Sequence, residues 1–130
     1  MSRGLLDTSV FIAREQARPL EPLPREVAVS VVTLGELELG VMAAPDRRVR
    51  ARRASTLSLA RAADPIPVVE ATMTAFASLV HACRRAGLCP KVLDALIAAT
   101  AVEQGLPLVT QDDDFEAMAG AHEGLTVERV

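Results

Sequence analysis

The chain has 130 residues and a formal net charge of −3; half of its residues are hydrophobic and only three are aromatic. This length predicts one domain with a core of aliphatic side chains. No apolar run approaches the roughly eighteen residues of a membrane span, and Asp7 comes too early for a secretory signal peptide. Two cysteines provide neither a disulfide framework nor a four-ligand zinc site. We therefore expect a cytoplasmic protein without a membrane partner.

Apolar segments alternate with helical patterns along the first half of the chain. The predicted elements are a strand over 4–6, a helix over 10–16, a proline-rich loop over 19–24 and a strand over 27–32. Thr33 and Glu36 have the spacing of a capping box, which predicts that a helix begins at Thr33 and runs to about residue 43. A break at Pro45 precedes an arginine-rich helix that runs to about residue 63.

The same alternation continues through the second half. The predicted elements are a strand over 66–69, helices over 70–85 and 91–104, a strand over 106–109, a short helix over 112–119 and a strand over 125–127. This order predicts an α/β fold of three layers, in which a mainly parallel sheet of four to five strands has helices on both faces. No repeat or linker divides the chain, so we expect residues 1–130 to form a single domain.

Acidic residues occupy the positions where such a fold would bind a ligand. Asp7, Glu36 and Asp112 lie at or just past the ends of strand-like runs, and the carboxyl ends of parallel strands form the ligand-binding edge. Asp94 opens a helix that is otherwise apolar and therefore buried. Each acid alone also has a local explanation. Asp94 could complement the helix dipole, Glu36 could complete a capping box, and Asp7 and Asp112 could serve turns or helix starts.

Together, these carboxylates indicate a metal site. Several carboxylates in one cleft repel one another, which raises some of their pKa values unless a cation joins them. All-oxygen ligands suit Mg²⁺ or Mn²⁺. Such an ion lowers the pKa of a bound water and stabilises negative charge on a phosphodiester. The four acidic positions therefore predict metal-dependent phosphodiester hydrolysis.

Four stretches resemble PIN domains, and most closely the VapC-type ribonuclease toxins of bacterial toxin–antitoxin modules. They are residues 5–10 (LLDTSV), 30–37 (SVVTLGEL), 90–101 (PKVLDALIAATA) and 108–115 (LVTQDDDF). Their order and spacing fit the family, and so does the length of the chain. The resemblance therefore implies a PIN-like fold and an endoribonuclease that acts as a toxin.

The resemblance also implies the roles of individual residues and the partners. The implied catalytic acids are Asp7, Glu36, Asp94 and Asp112. The implied ligands of Mg²⁺ or Mn²⁺ are Asp7, Asp94, Asp112 and Asp114, with Asp113 exposed. The hydroxyls implied to orient the ligands or the scissile phosphate are those of Thr8, Ser9 and Thr110. The implied partners are an RNA substrate, a second copy of the chain in a homodimer, and a co-encoded antitoxin whose tail enters the cleft.

Basic residues are concentrated in one segment. Six arginines and no acid lie between Arg47 and Arg61, and an arginine stripe beside an acidic pocket suits a nucleic-acid enzyme. The RNA-binding candidates are Arg47, Arg48 and Arg52. The alternative is a solvated helix face whose arginines pair with acids elsewhere. Relatives often carry a basic residue at the position of Gln111, so one phosphate contact is expected to be missing.

Three other classes of protein share parts of this pattern. A haloacid-dehalogenase-like phosphatase needs a second aspartate two residues after the first, where this chain has Ser9. A phosphoacceptor receiver domain needs paired acids near the first strand, and Lys91, the only lysine, precedes the last acidic position instead of following it. A non-catalytic module that keeps the fold as a binding partner would be expected to lack one of the four acids.

Overall fold

The computed structural model describes residues 2–130, in which five strands form one sheet between two layers of helices. The strands are β1 (Arg3–Leu6), β2 (Glu26–Ser30), β3 (Pro65–Ile66), β4 (Leu108–Thr110) and β5 (Val127–Arg129). The helices are α1 (Thr8–Glu15), α2 (Val31–Met42), α3 (Arg47–Arg61), α4 (Glu70–Arg85), α5 (Val92–Gln104) and α6 (Asp114–Ala121). This arrangement confirms the predicted three-layer α/β fold.

Each face of the sheet carries its own hydrophobic core, because neighbouring residues of a strand point to opposite faces. Leu5 of β1 packs with Leu79 of α4 and Ile97 of α5 on one face. Leu6, the next residue, packs with Phe11 of α1 and Leu57 of α3 on the other face. The central strands are therefore covered on both sides, which explains their apolar runs at Leu5–Leu6, Val27–Val29 and Leu108–Val109.

The order of the strands determines where a ligand can bind. It is β3-β2-β1-β4-β5, and every neighbouring pair is parallel. The chain builds the sheet outward from β1 to β3 and then returns to place β4 on the other side of β1. Open parallel sheets bind ligands beyond the carboxyl ends of their strands where the order reverses in this way. Asp7 directly follows β1, and Asp112 lies two residues after β4.

The start of α2 differs from the prediction. The helix begins at Val31 with Ser30 as its N-cap, and the Ser30 hydroxyl accepts a hydrogen bond from the backbone N–H of Val32 at 3.1 Å. The capping-box interpretation of Thr33 and Glu36 is therefore wrong, and β2 ends before the predicted limit. Thr33 is fully buried against α1, so packing between the two helices decided which residue caps α2.

Three further boundaries differ from the prediction for tertiary reasons. The edge strand β3 has two residues, because only these pair with β2. The edge strand β5 begins at Val127, later than predicted. Leu125 is apolar because it packs in the hydrophobic core, not because it belongs to the strand. α6 begins at Asp114, because Asp112 precedes the helix and its Oδ1 accepts a hydrogen bond from the N–H of Asp114 at 3.0 Å.

Cys83 is buried in the core and Cys89 is exposed, and both are free thiols. Across residues 2–130, no helix has the length and apolar character that a membrane crossing requires.

Candidate active site

Asp7 is the most firmly held acid at the carboxyl edge of the sheet. It is the N-cap of α1, and only 4% of its surface is exposed. Its Oδ2 accepts hydrogen bonds from the Ser9 hydroxyl at 2.7 Å, the Thr110 hydroxyl at 2.9 Å and the Ser9 backbone N–H at 3.3 Å. Burial raises the pKa of the Asp7 carboxyl, and these hydrogen bonds oppose the rise. The position of this carboxylate is therefore fixed by its neighbours.

The hydroxyls of Ser9 and Thr110 connect Asp7 to the segment that follows β4. The Ser9 hydroxyl accepts a hydrogen bond from the N–H of Gln111 at 3.0 Å, and the Thr110 hydroxyl accepts one from the N–H of Asp112 at 2.9 Å. Each hydroxyl hydrogen is donated to Asp7, and Thr110 is fully buried. Of the two roles predicted for these hydroxyls, the geometry favours orientation of a ligand over contact with a phosphate.

Glu36 lies in the second turn of α2 and contacts α1. The Thr8 hydroxyl donates a hydrogen bond to Glu36 Oε1 at 2.8 Å and lies 3.0 Å from the Thr33 hydroxyl. Thr8 and Glu36 are half-buried, whereas Thr33 is fully buried. The first residue of α1 therefore orients Glu36 in the same way that Ser9 orients Asp7.

Asp94, Asp112 and Asp114 form what we call the acidic cluster. One carboxylate oxygen from each residue lies within 4.8 Å of the others. Asp94 lies in the first turn of α5, Asp112 precedes α6, and Asp114 is the first residue of α6. Three of the four predicted metal ligands are thus together, and Asp7, the fourth, lies outside this group of three.

The other three predicted catalytic acids lie close enough to Asp94 for their charges to affect its pKa. Burial is the main cause that raises the pKa of Asp94 to about 6, and the negative charges of Asp7, Glu36 and Asp112 act in the same direction. The positive charge of Lys91 opposes them. The fold therefore brings acids that are up to 105 positions apart in sequence into the neighbourhood of Asp94.

The acidic cluster has the chemistry of a divalent cation site. Its donors are all carboxylate oxygens, which suit Mg²⁺ or Mn²⁺, and their mutual repulsion is relieved when a cation joins them. Asp7 adds a further negative charge next to this group. The residues present therefore fit the metal that the sequence predicted.

The loop between β4 and α6 is held in place by the end of the chain. Arg129 of β5 forms an ion pair with Asp113 and donates a hydrogen bond to the Gln111 carbonyl at 2.9 Å. The Gln111 side chain donates to the carbonyls of Pro19 and Val130, each at 3.0 Å. Gln111 is thus engaged within the protein, and Asp113 is exposed as expected. The local sequence predicted neither the contacts of Arg129 with this loop nor the hydrogen bonds of the Gln111 side chain.

The arginines of α3 divide into two groups. Arg47, Arg48 and Arg52 are exposed on the first half of the helix, as candidates for RNA binding should be. Arg53 was missed: it is half-buried, and its NH1 donates a hydrogen bond to the Gly40 carbonyl at 2.7 Å. Its i, i+4 spacing with the buried Leu57 was the signal that placed it on the inner face.

Comparison with known proteins agrees with the predicted fold and family. The family model described as the PIN domain matches residues 4–121. The chain is 59% identical over 100 residues to Ribonuclease VapC8 of Mycobacterium tuberculosis, an alignment that covers 75% of this chain and 89% of the relative. It is 42% identical over 120 residues to Ribonuclease VapC5 of the same species, which covers 91% of this chain and 89% of the relative.

Superposition on solved structures agrees with the match to the family model and to the relatives. The chain superposes with a TM-score of 0.88 and 39% identity on VapBC-5 of Mycobacterium tuberculosis, a member of the VapBC family of toxin–antitoxin systems, over 100% of both chains. It superposes with a TM-score of 0.80 on VapBC2 of Rickettsia felis over 98% of both chains, and at 19% identity this match shows the fold alone. The chain therefore belongs to the PIN-domain family and, within it, to the VapC ribonucleases.

Proposed function

We propose that this protein is a metal-dependent endoribonuclease that hydrolyses RNA phosphodiester bonds and acts in the cytoplasm as the toxin of a toxin–antitoxin system. The observation that carries this proposal is the meeting of Asp94, Asp112 and Asp114 at the carboxyl edge of the sheet, beside Asp7 and Glu36. The relatives named Ribonuclease VapC support RNA as the substrate. We further propose that residues 1–130 form a single PIN domain.

Asp94, Asp112 and Asp114 would hold Mg²⁺ or Mn²⁺, with Asp7 as the fourth ligand on the side of β1. When bound, such an ion lowers the pKa of a water molecule and stabilises the charge that develops on the phosphodiester. The protein contributes orientation: Ser9 and Thr110 hold Asp7, and Asp112 is tied to Thr110 through its backbone N–H. Rigidly held carboxylates need no rearrangement when charge develops in the transition state.

Glu36 is the residue best placed to accept a proton. Its Oε1 is engaged by the Thr8 hydroxyl, which leaves Oε2 to take a proton from the attacking water. Glu36 lies close enough to the cluster for its charge to raise the pKa of Asp94. In this role Thr8 is a positioning residue that aims the Glu36 carboxylate.

The solved relatives also suggest the partners. VapBC-5 is a member of the VapBC family of toxin–antitoxin systems, and the match to it covers the whole chain. We propose that this protein forms a homodimer and binds a cognate antitoxin whose tail enters the cleft over the acidic cluster. A bound antitoxin would then compete directly with RNA for the candidate active site.

An RNA cleavage assay tests the proposal. Purified protein is incubated with mixed transfer and ribosomal RNA in Mg²⁺, Mn²⁺ or chelator, alongside Asp94→Asn and the control Glu70→Gln. Glu70 is an exposed acid in the first turn of α4, as Asp94 is in the first turn of α5. We expect cleavage that requires metal, is lost in Asp94→Asn and persists in Glu70→Gln.

Three results would contradict parts of this proposal. Full activity in a folded Asp94→Asn variant would remove Asp94 from the catalytic set. No cleavage, together with no heat of Mn²⁺ binding by calorimetry, would identify a non-catalytic PIN-like binding module. Cleavage of phosphomonoesters instead of RNA would identify another metal-dependent phosphoryl hydrolase.

A further inference from the structure

A cleft of about 300 Å³ opens beside the acidic residues, between α1, α2 and α3. Thr8 and Glu36 line it, so it is continuous with the candidate active site. Arg53 of α3 is the cation of the lining, Glu15 at the end of α1 is a second acid beside Glu36, and Ile12 and Leu37 are apolar. We call this space the Arg53 cleft. Its volume is at the lower end of the roughly 300–1,000 Å³ of small-molecule sites, which suits one nucleotide of a strand.

Arg53 is the one α3 arginine with a bond to the last turn of α2 in the described part of the chain. That bond runs from NH1 to the Gly40 carbonyl and uses one of the five N–H groups of the guanidinium. Within residues 2–130 no carboxylate forms an ion pair with Arg53, whereas Arg3 and Arg61 each pair with one carboxylate and Arg129 pairs with two. Arg53 is therefore a positioned, half-buried cation with N–H groups left over for an anion.

The position of the cleft relative to the acids favours a phosphate as that anion. An RNA strand whose scissile phosphodiester lies at the acidic cluster has to pass the neighbouring side chains as it leaves the site. Each of its nucleotides carries a phosphate that those side chains could bind. A second cleft beside the acidic cluster is lined by Asp94, Asp113 and Asp114 and by the cation Lys91, so its net charge is more negative than that of the Arg53 cleft. The Arg53 cleft offers a guanidinium, whose planar fork matches two phosphate oxygens.

We propose that the Arg53 cleft is a subsite for the RNA nucleotide next to the scissile bond, and that the Arg53 guanidinium binds the phosphate of that nucleotide. The subsite rests on the proposed ribonuclease function and adds the direction in which the substrate leaves the acidic cluster. Gln16, at the end of α1, lines the same cleft and supplies a hydrogen-bonding side chain for the sugar or base. The exposed Arg52 continues the positive charge outward along α3.

Binding of a fluorescein-labelled, randomised twelve-nucleotide RNA tests the subsite. Affinity is measured by anisotropy at several salt concentrations, in an Asp94→Asn background that prevents cleavage. We expect Arg53→Gln to weaken binding about tenfold and to reduce the slope of log affinity against log salt by about 0.7, the value for one phosphate on a single strand. The control is Arg61→Gln, an exposed arginine on the same helix, which should change neither quantity.

Steady-state kinetics provide a second readout in the catalytically intact protein. The Arg53→Gln change should raise KM and leave kcat nearly unchanged, because a phosphate outside the reacting bond is bound equally in the ground state and the transition state. Arg53→Lys should recover part of the affinity, since it restores the charge without the planar fork. If the Arg53→Gln variant is folded and has the wild-type KM and salt slope, Arg53 only connects α2 and α3 and does not bind RNA.

A further variant keeps the proposal testable if Arg53→Gln does not fold. Gln16→Glu places a negative charge in the cleft at an exposed position and leaves the bond between Arg53 and Gly40 intact. It should weaken RNA binding several-fold, whereas the same change at Gln104, an exposed residue at the end of α5, should not. Equal affinities for the two variants would overturn the subsite.

The outcomes also separate this inference from the proposed function. If the wild-type protein neither cleaves RNA nor binds Mn²⁺, the proposed function fails. If the wild-type protein cleaves RNA and Arg53→Gln binds and cleaves it equally well, only the subsite fails. If Arg53→Gln loses affinity for a glutamate-rich peptide but not for RNA, the cleft serves a protein partner and the RNA assignment is overturned.

Discussion

The acids of the candidate active site differ in how they are restrained. Asp7 is buried and accepts three hydrogen bonds on one oxygen, so its carboxylate is held in one orientation. Asp94 is half-buried, and its raised pKa of about 6 comes first from burial and then from the neighbouring negative charges. The metal-free protein therefore binds a proton at Asp94 more tightly than the unfolded chain does, and a divalent cation would replace that proton.

This difference predicts how stability depends on pH. Folding raises the pKa of Asp94 from its ordinary value of 3.8 to about 6, so its ionisation costs folding free energy progressively between these two values. In chelator, Asp94→Asn should equal the wild type near pH 4 and become the more stable protein above about pH 6. Urea unfolding at several pH values measures this. A stability difference that does not change with pH would contradict the assignment of the shift to Asp94.

Arg129 should affect the affinity for metal although it would not contact the metal itself. Arg129 ties down Asp113 and the Gln111 carbonyl, on either side of Asp112. Loss of partners that orient ligands typically weakens metal binding about 10–100-fold. We expect Arg129→Gln to weaken Mn²⁺ binding by about tenfold in calorimetry, with partial recovery in Arg129→Lys. Arg3→Gln, which removes an ion pair with Asp64, should leave the affinity unchanged.

Among the elements, local patterns predicted the existence of each helix but not always its ends. Ser30 and Thr33 are both plausible N-caps for α2, and they are three positions apart in sequence. The choice depends on Thr33 being buried between α1 and α2, which no local pattern encodes. The same holds for α3, where the i, i+4 spacing with Leu57 indicates that Arg53 lies on the inner face, but only packing decides that it bonds to Gly40 of α2.

Replacement of Gly4 and of Gly35 by alanine should change the stability of the protein in opposite directions. A Cβ on Gly4 of β1 would lie 2.8 Å from Val109 Cγ2 and 2.9 Å from Pro24 Cγ, whereas a Cβ on Gly35 of α2 meets nothing within 4 Å. Gly4→Ala should therefore destabilise the protein by about 1–3 kcal/mol through overpacking. Gly35→Ala should stabilise it by up to about 1 kcal/mol through helix propensity. Urea unfolding of both variants decides this, and two shifts of the same sign would contradict it.

At the scale of the whole molecule, the charges are segregated despite the small net charge of −3. The predicted catalytic acids converge where the strand order reverses between β1 and β4, and a group of exposed arginines lies on the first half of α3. This arrangement can attract a polyanion to one surface and hold a cation at another.

The segregation predicts salt-dependent RNA binding. Combined replacement of Arg47, Arg48 and Arg52 by alanine should weaken RNA affinity and lower the slope of log affinity against log salt by about two, if each arginine neutralises one phosphate of a single strand. Anisotropy titrations with the randomised RNA measure both quantities. An unchanged affinity would mean that these arginines are only a solvated surface of α3.

The sequence by itself determined the fold class, the four motifs and the identities of the acids. Alternating strands and helices leave few topologies, because parallel connections are right-handed and cover both faces of the sheet. Only the tertiary structure decided which hydroxyl holds which carboxylate, which arginine enters the cleft, and which residue orders the loop around Asp112. Those contacts join residues that are distant in the chain, such as Asp7 and Thr110, 103 positions apart. Local periodicity predicts which face of a helix or strand is buried. A contact between distant residues depends on how two such elements pack in the tertiary structure.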